Sequence, residues 1–321
     1  MNKRLLVVIL VFVICAALLI GFNRNVPEAP VEPVETPVQT PVAITPPAPT
    51  SAPEPPPSPA SPTPTPVQPV RTIGRIILST TSSADDNGLL GYILPVFTAE
   101  TGWEVDVVAV DTGTALQMGR AGAIDVLLVQ SRPDEDKFVE DGYGDERYDV
   151  MYNNYVLVGP KNGLLAYNDD IEASFKTIIE TGLGFVSRGD DSDAYRKEMS
   201  IWGAIDVAPA GNALYLSIGQ GMNTTLGVAK ELNIYTLSDR ATWLRHVNKG
   251  ELEIICEGHP TLFNPFGVIP VSGSVSEEIN TEGGQAFADW IISPAAQELI
   301  AQYGAEQYGQ PLFFPNADAQ Q

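Results

Sequence analysis

Between Val26 and Val70 the chain carries most of its 27 prolines, interleaved with Val, Thr, Ala and Ser and almost free of large apolar side chains. Proline fixes φ and has no N–H to donate, so residues 26–71 can bury nothing and read as an extended, polyproline-like, disordered linker. This stretch divides the chain. Before it lies an apolar run, Leu5 to Phe22, behind the basic pair Lys3 and Arg4. At roughly 18 residues, about 27 Å as a helix, the run matches one bilayer core. The basic flank predicts a cytoplasmic N-terminus, with everything after residue 22 outside. Residues 1–25 therefore read as a membrane anchor, or as a signal segment if they are removed. The length of the run and its Gly21-Phe22-Asn23 end favour the anchor. Ile14, before Cys15, stands where lipidation needs a small side chain.

After the linker, residues 72–321 form the folding unit, about 250 residues and enough for two small cores. Short apolar runs with β-branched residues alternate with amphipathic stretches. Examples are the strand-like 75–80, 103–110 and 124–129, each followed by a helix-like segment. This rhythm predicts an α/β fold with a parallel sheet covered by helices. It resumes at 183–189, with helices from about Ser192 and near Asn223, and a strand at 252–258. Two segments echo each other, Tyr152-Asn153-Asn154-Tyr155 and Phe263-Asn264-Pro265-Phe266, each running into an apolar strand. Matching crossover strands are what a two-lobed protein needs, because the chain must leave the first lobe and return to it. The expected division is lobe 1 over 72–153 and 266–321, and lobe 2 over 154–265, with the ligand cleft between them.

Charge and composition restrict the partners. A net charge of −22 argues against nucleic acid or an anionic membrane surface. It leaves a small anion open, because a few aimed donors set local affinity while remote acidic surface is screened. Cys15 and Cys256 cannot meet, so no intrachain disulfide is expected. No zinc spacing, Cys/His pairing or Gly-x-Ser-x-Gly elbow appears, and His246 and His259 read as surface residues. The chain is expected to be no enzyme, with no catalytic residue, no cofactor and no metal site.

Open α/β sheets bind ligands at the C-terminal ends of their strands, so the strand-to-helix loops carry the candidates. Ser79-Thr80-Thr81-Ser82-Ser83 offers consecutive hydroxyls at a helix start, an anion cradle where an ordinary N-cap needs only one. Thr112, in Asp111-Thr112-Gly113-Thr114, supplies another hydroxyl or N–H, though capping explains that loop equally well. In Ser187-Arg188-Gly189-Asp190-Asp191-Ser192-Asp193, Arg188 offers a fixed fork of donors at any physiological pH. Pairing with Asp190 or Asp191 on the surface is the bland alternative. The acidic cluster lacks the spacing and turn glycine of an EF-hand. In the loop 217–225, Gly221 permits close backbone approach ahead of a helix N-terminus.

The stretches ILSTTSSADDNGLLGYILPVF, FVSRGDDSDAYRKE, LYLSIGQGMNTTLGVA, YTLSDRATWL, LFNPFGVIPV and YGQPLFFPNA resemble the substrate-binding component of bacterial ABC-type tungstate transporters. The resemblance covers nearly all of 75–316. It implies a type II periplasmic-binding-protein fold, an extracytoplasmic location, and a tetrahedral oxyanion, tungstate or molybdate, handed to a permease and an ATPase. By position it nominates Thr80, Thr81, Ser82 and Arg188, with Ser192. The chain departs from the family pattern at Asp193 and Ala194, where Gly and Thr follow the Ser, and at Ile218, where Thr is usual. Tungstate is fully deprotonated at neutral pH and only accepts hydrogen bonds, so lost donors weaken it, whereas hydrogen phosphate keeps a proton that Asp193 or Asp190 can accept. A phosphate- or other-oxyanion-binding sensory or scavenging domain, uncoupled from a transporter, is therefore the alternative.

Overall fold

The computed structural model describes residues 72–317. The expected anchor and the linker lie outside them. No helix among the described residues is long and apolar enough to cross a membrane.

The strands are β1 (Gly74–Thr81), β2 (Trp103–Val110), β3 (Val126–Val129), β4 (Tyr148–Pro160), β5 (Phe185–Ser187), β6 (Tyr215–Ser217), β7 (Thr236–Asp239), β8 (Leu252–Cys256), β9 (Phe263–Pro270) and β10 (Phe314–Pro315). The first three follow the expected rhythm, β1 lying parallel to both β2 and β3. The sheet as a whole is mixed rather than parallel, because β9 runs antiparallel to β3 and β4 antiparallel to β9. The reason is connectivity: β9 is entered from β8 through the short turn Pro260–Leu262, not through a crossover helix.

Side-chain alternation builds cores on both faces of this sheet. Ile76, Leu78, Val126 and Leu128 face one way, onto Phe97, Phe287 and Ile291. Leu127 and Val129 face the other, onto Leu116 and Phe138. A strand buried on both faces has no polar alternation to show, which is why these runs read as continuously apolar.

The 13-residue β4 is shared. Its residues 148–154 pair with β9, whereas 155–160 pair with β7 and β8. The later part belongs to a separate core of Tyr155, Val156, Phe175, Phe185, Trp202 and Leu226. Trp202 packs 4.4 Å from the Phe175 ring, centroid to centroid, and removing either side chain would cost about 3–5 kcal/mol. The two echoing segments meet where the cores part. Asn153 lies opposite Asn264 in the ladder, and Asn264 Nδ2 donates to Asn153 Oδ1 at 2.8 Å. Tyr152 and Phe263 pack beside them, rings tilted, with centroids 5.0 Å apart.

Candidate functional site

The hydroxyl loop leaves β1 at its C-terminal end. Pairing with β3 stops at Thr80 and Leu128, and the Thr80 hydroxyl is consumed there, donating to the Leu128 carbonyl at 2.7 Å. Thr81 points the opposite way, as strand alternation requires. It stands at the N-cap of the short helix Ser82–Asp86 but makes no side-chain cap. Its Oγ1 is buried without a protein partner, and so is Ser83 Oγ. Buried hydroxyls are nearly always paired, so two orphans on one loop need a reason beyond capping.

The opposite wall leaves β5, which lies parallel to β6. Gly189 adopts φ +62°, and a Cβ there would come within 1.8 Å of Ser217 Oγ, so only glycine fits. Asp191 follows at φ 60°, a conformation disfavoured for a side-chain-bearing residue. Gly219 N donates to the Arg188 carbonyl at 2.6 Å, which fixes the loop against the 217–225 segment. Through Nη2 and Nε, Arg188 donates to Asp190 Oδ2 at 2.6 and 3.1 Å. Ser192 caps the helix Asp193–Ala204 by accepting from Tyr195 N.

A cavity of about 210 Å³ lies between these loops, the volume of roughly seven liquid waters. Thr81, Ser82 and Ser83 line it on one side and Arg188, Asp190, Ser192, Asp193 and Ala194 on the other, with Val110, Asp111, Gln130, Tyr155 and Asp239 between. The enclosure suits a small polar anion. A sugar or peptide needs a larger space with apolar platforms.

A model of the PBP superfamily domain matches residues 47–295. The tungstate-binding protein TupA of Peptoclostridium acidaminophilum is 49% identical over 255 residues, 78% of this chain and 89% of that protein. The chain belongs to the tungstate-binding protein family of the PBP superfamily. Among solved structures, the tungstate-binding protein TupA of Desulfovibrio alaskensis G20 is 36% identical with a TM-score of 0.69, covering 76% of this chain and 99% of that one. The tungstate ABC transporter structure from Geobacter sulfurreducens is 39% identical with a TM-score of 0.64, over 71% of this chain and 98% of that one.

Of the residues that family membership and loop position nominate, Thr81, Ser82, Arg188 and Ser192 line the same cavity. Thr80 does not, its hydroxyl being engaged inside the sheet. Thr112 is fully buried, accepts from Gln130 N at 3.5 Å and faces Asp193. Gly221 lines an adjoining cavity of about 160 Å³ that shares Arg188, Ser83 and Asp239 with the first. Tyr155 and Asp239 were not singled out from the sequence. Tyr155 lay hidden in a crossover strand. Asp239 had a usable signal, an acidic residue at a strand end opening a helix, and it accepts from Thr242 N at 2.9 Å.

Four carboxyl groups border the cavity, and their environments differ. Burial pushes Asp190 up, but the hydrogen bonds from Arg188 and Ser192 outweigh it and hold the group below the ordinary carboxylate range. Asp111 is likewise buried in part, and its bonds from Thr114 and the nearby Arg196 hold it low. Burial raises Asp239 against the donors Thr242 and Asn87. Burial also pushes Asp193 up, to about 6, despite Thr112 and Arg196.

Proposed function

We propose that this chain is the extracytoplasmic receptor of an ABC importer, capturing tungstate in the 210 Å³ cavity and passing it to a separate permease and ATPase. The observation that carries the reading is the pair of orphaned buried hydroxyls, Thr81 Oγ1 and Ser83 Oγ, in a cavity whose other wall holds the Arg188 guanidinium. Tungstate offers only acceptors, so hydroxyl and guanidinium donors are the groups it requires. Ser82, Ser192 and the Tyr155 hydroxyl border the same space and complete the donor set. Thr112 and Gly221 act one layer back, Thr112 behind Asp193 and Gly221 beside Arg188.

On this reading the two cores are two lobes, 72–153 with 266–321 and 154–265, closing on the anion across the paired β4 and β9. Their separate apolar clusters support the division. The N-terminal 1–25 segment tethers the receptor to the outer face of the cytoplasmic membrane, with 26–71 as spacer. Names of relatives in two bacterial genera support tungstate as the ligand.

A second reading has a specific observation in its favour. Asp193 and Ala194 border the cavity with an acceptor and a methyl group, which suits an oxyanion that carries its own proton. Thermal shifts of the purified full-length protein with tungstate, molybdate, sulfate and phosphate separate the two, since a ligand of the native state raises Tm by mass action. The receptor reading requires tungstate to act at concentrations where sulfate and phosphate do not. A response to phosphate alone selects the second reading, and no response to any of the four discards both.

A further inference from the structure

In the tungstate reading Asp193 has no role in a site built to hold a fully deprotonated anion. It opens the helix Asp193–Ala204 and borders both the oxyanion cavity and a neighbouring one of about 330 Å³ near Arg196 and Lys197. The other carboxylates of the cavity are committed to donors of their own. Asp190 takes the Arg188 fork, Asp239 caps its helix, and Asp111 accepts from Thr114 N and Oγ1 at 2.9 and 2.6 Å with Arg196 at 3.7 Å. Behind Asp193, away from the cavity, lies Thr112, whose hydroxyl and backbone N–H favour the charged carboxylate. The cations near it are engaged elsewhere. Arg196 stands beside Asp111, and Lys197 Nζ donates to the Thr261 carbonyl at 2.9 Å. Fully buried Tyr155 adds a hydroxyl whose own ionisation Asp193 and Asp239 oppose.

A carboxylate in this position repels any dianion that enters, and Ala194 beside it supplies no side-chain donor. Resting on the receptor reading above, we propose that Asp193 makes oxyanion capture proton-coupled: a fully deprotonated tetrahedral dianion binds together with one solvent proton, which the Asp193 carboxyl takes up and shares with an anion oxygen. One O–H bond forms on Asp193 as hydronium or a buffer acid gives up its proton, and no bond breaks in the ligand. Burial already pushes the ligand-free carboxyl up to about 6, and a dianion alongside raises it further, because like charges in contact disfavour ionisation. The sign follows. Below about pH 6 the proton is already present; as pH rises, each captured dianion must draw one from solution, so affinity falls.

The test is isothermal titration of the full-length protein with sodium tungstate between pH 6.5 and 8.5, in buffers of different ionisation enthalpy, for the native chain and Asp193→Asn. The native protein should take up close to one proton at the alkaline end, with Kd rising up to about tenfold per pH unit. Asp193→Asn should hold Kd nearly constant and bind at least about tenfold more tightly than the native chain at pH 8.5. PH-independent binding without proton exchange by the native chain overturns the inference and leaves the receptor reading standing. An unchanged slope in Asp193→Asn also overturns it, by placing the proton elsewhere. If neither protein binds tungstate at any pH, the receptor reading fails and takes the inference with it. Should the variant fold poorly, the proton count of the native chain decides alone.

Discussion

The two walls of the cavity present donors in opposite ways. On the β1 side, Thr81 and Ser83 hold hydroxyls with no protein partner, so nothing competes with an incoming anion. On the β5 side, Arg188 already donates twice to one oxygen of Asp190, and Ser192 accepts its helix cap on Oγ while keeping its O–H to donate. One wall stores an unsatisfied hydrogen-bonding capacity; the other keeps its charge neutralised until a ligand shares it. A buried orphan hydroxyl costs stability of about 1–3 kcal/mol, so the first wall gains from a ligand more than it loses. The second wall gains only what the anion offers beyond Asp190.

The largest expected effect comes from deleting the charged donor. Arg188→Ala should weaken tungstate binding by at least about 100-fold, since removing one side of a charge pair costs roughly 2–5 kcal/mol. The Arg188 and Asp190 side chains are only 18% and 22% exposed, so the variant leaves Asp190 largely buried without its cation, and the ligand-free Tm should also drop, by several degrees. Normal binding by this variant in titration calorimetry would remove Arg188 from the site.

Next comes a contrast within one strand. Thr81→Val should lose about 10- to 100-fold in affinity, the value of a hydrogen bond to a charged ligand, while the ligand-free protein becomes no less stable. Its neighbour should behave the other way. Thr80→Val strands the Leu128 carbonyl and costs about 1–3 kcal/mol of stability by denaturant melts, with affinity within about twofold of native. If both variants lose binding equally, the two hydroxyls share a role and the contrast collapses.

The smallest effect separates a structural carboxyl from one that meets the ligand, on a single helix. Glu198 is 3% exposed and accepts from Trp202 Nε1 at 3.1 Å and the Tyr215 hydroxyl at 2.7 Å. Burial pushes it up to about 7. The folded protein therefore binds this proton more tightly than the unfolded chain. The contribution is full below about pH 4.5 and lost as pH rises to about 7, on the order of 3 kcal/mol. Glu198→Gln should flatten that part of the stability profile without altering the pH dependence of tungstate binding. A change in the binding profile would extend the ligand's reach to Glu198.

Strand and helix positions were legible because each rests on a local pattern: β2 falls on 103–110 as expected, and the helix anticipated from Ser192 starts one residue later, with Ser192 as its cap. The mixed sheet was not legible, since strand direction depends on where β9 enters, and two apolar runs look alike in either direction. The pairing of Asn153 with Asn264 joins positions 111 residues apart. Their aromatic-Asn echo hinted at it, but only the ladder gives the register.

By itself the sequence determined the donor chemistry: hydroxyls after one strand, an arginine after another, and the acidic substitution at 193. Those are properties of residue type and local turn geometry. Tertiary structure decided which of five consecutive hydroxyl residues remain unspent. Thr80 and Thr81 are chemically identical, and only the point at which β3 stops pairing gives one of them to the sheet and the other to the cavity. It also decided that half-buried Asp193 stands beside Thr112 from a distant loop, because burial and opposing partners are set by how the two walls meet.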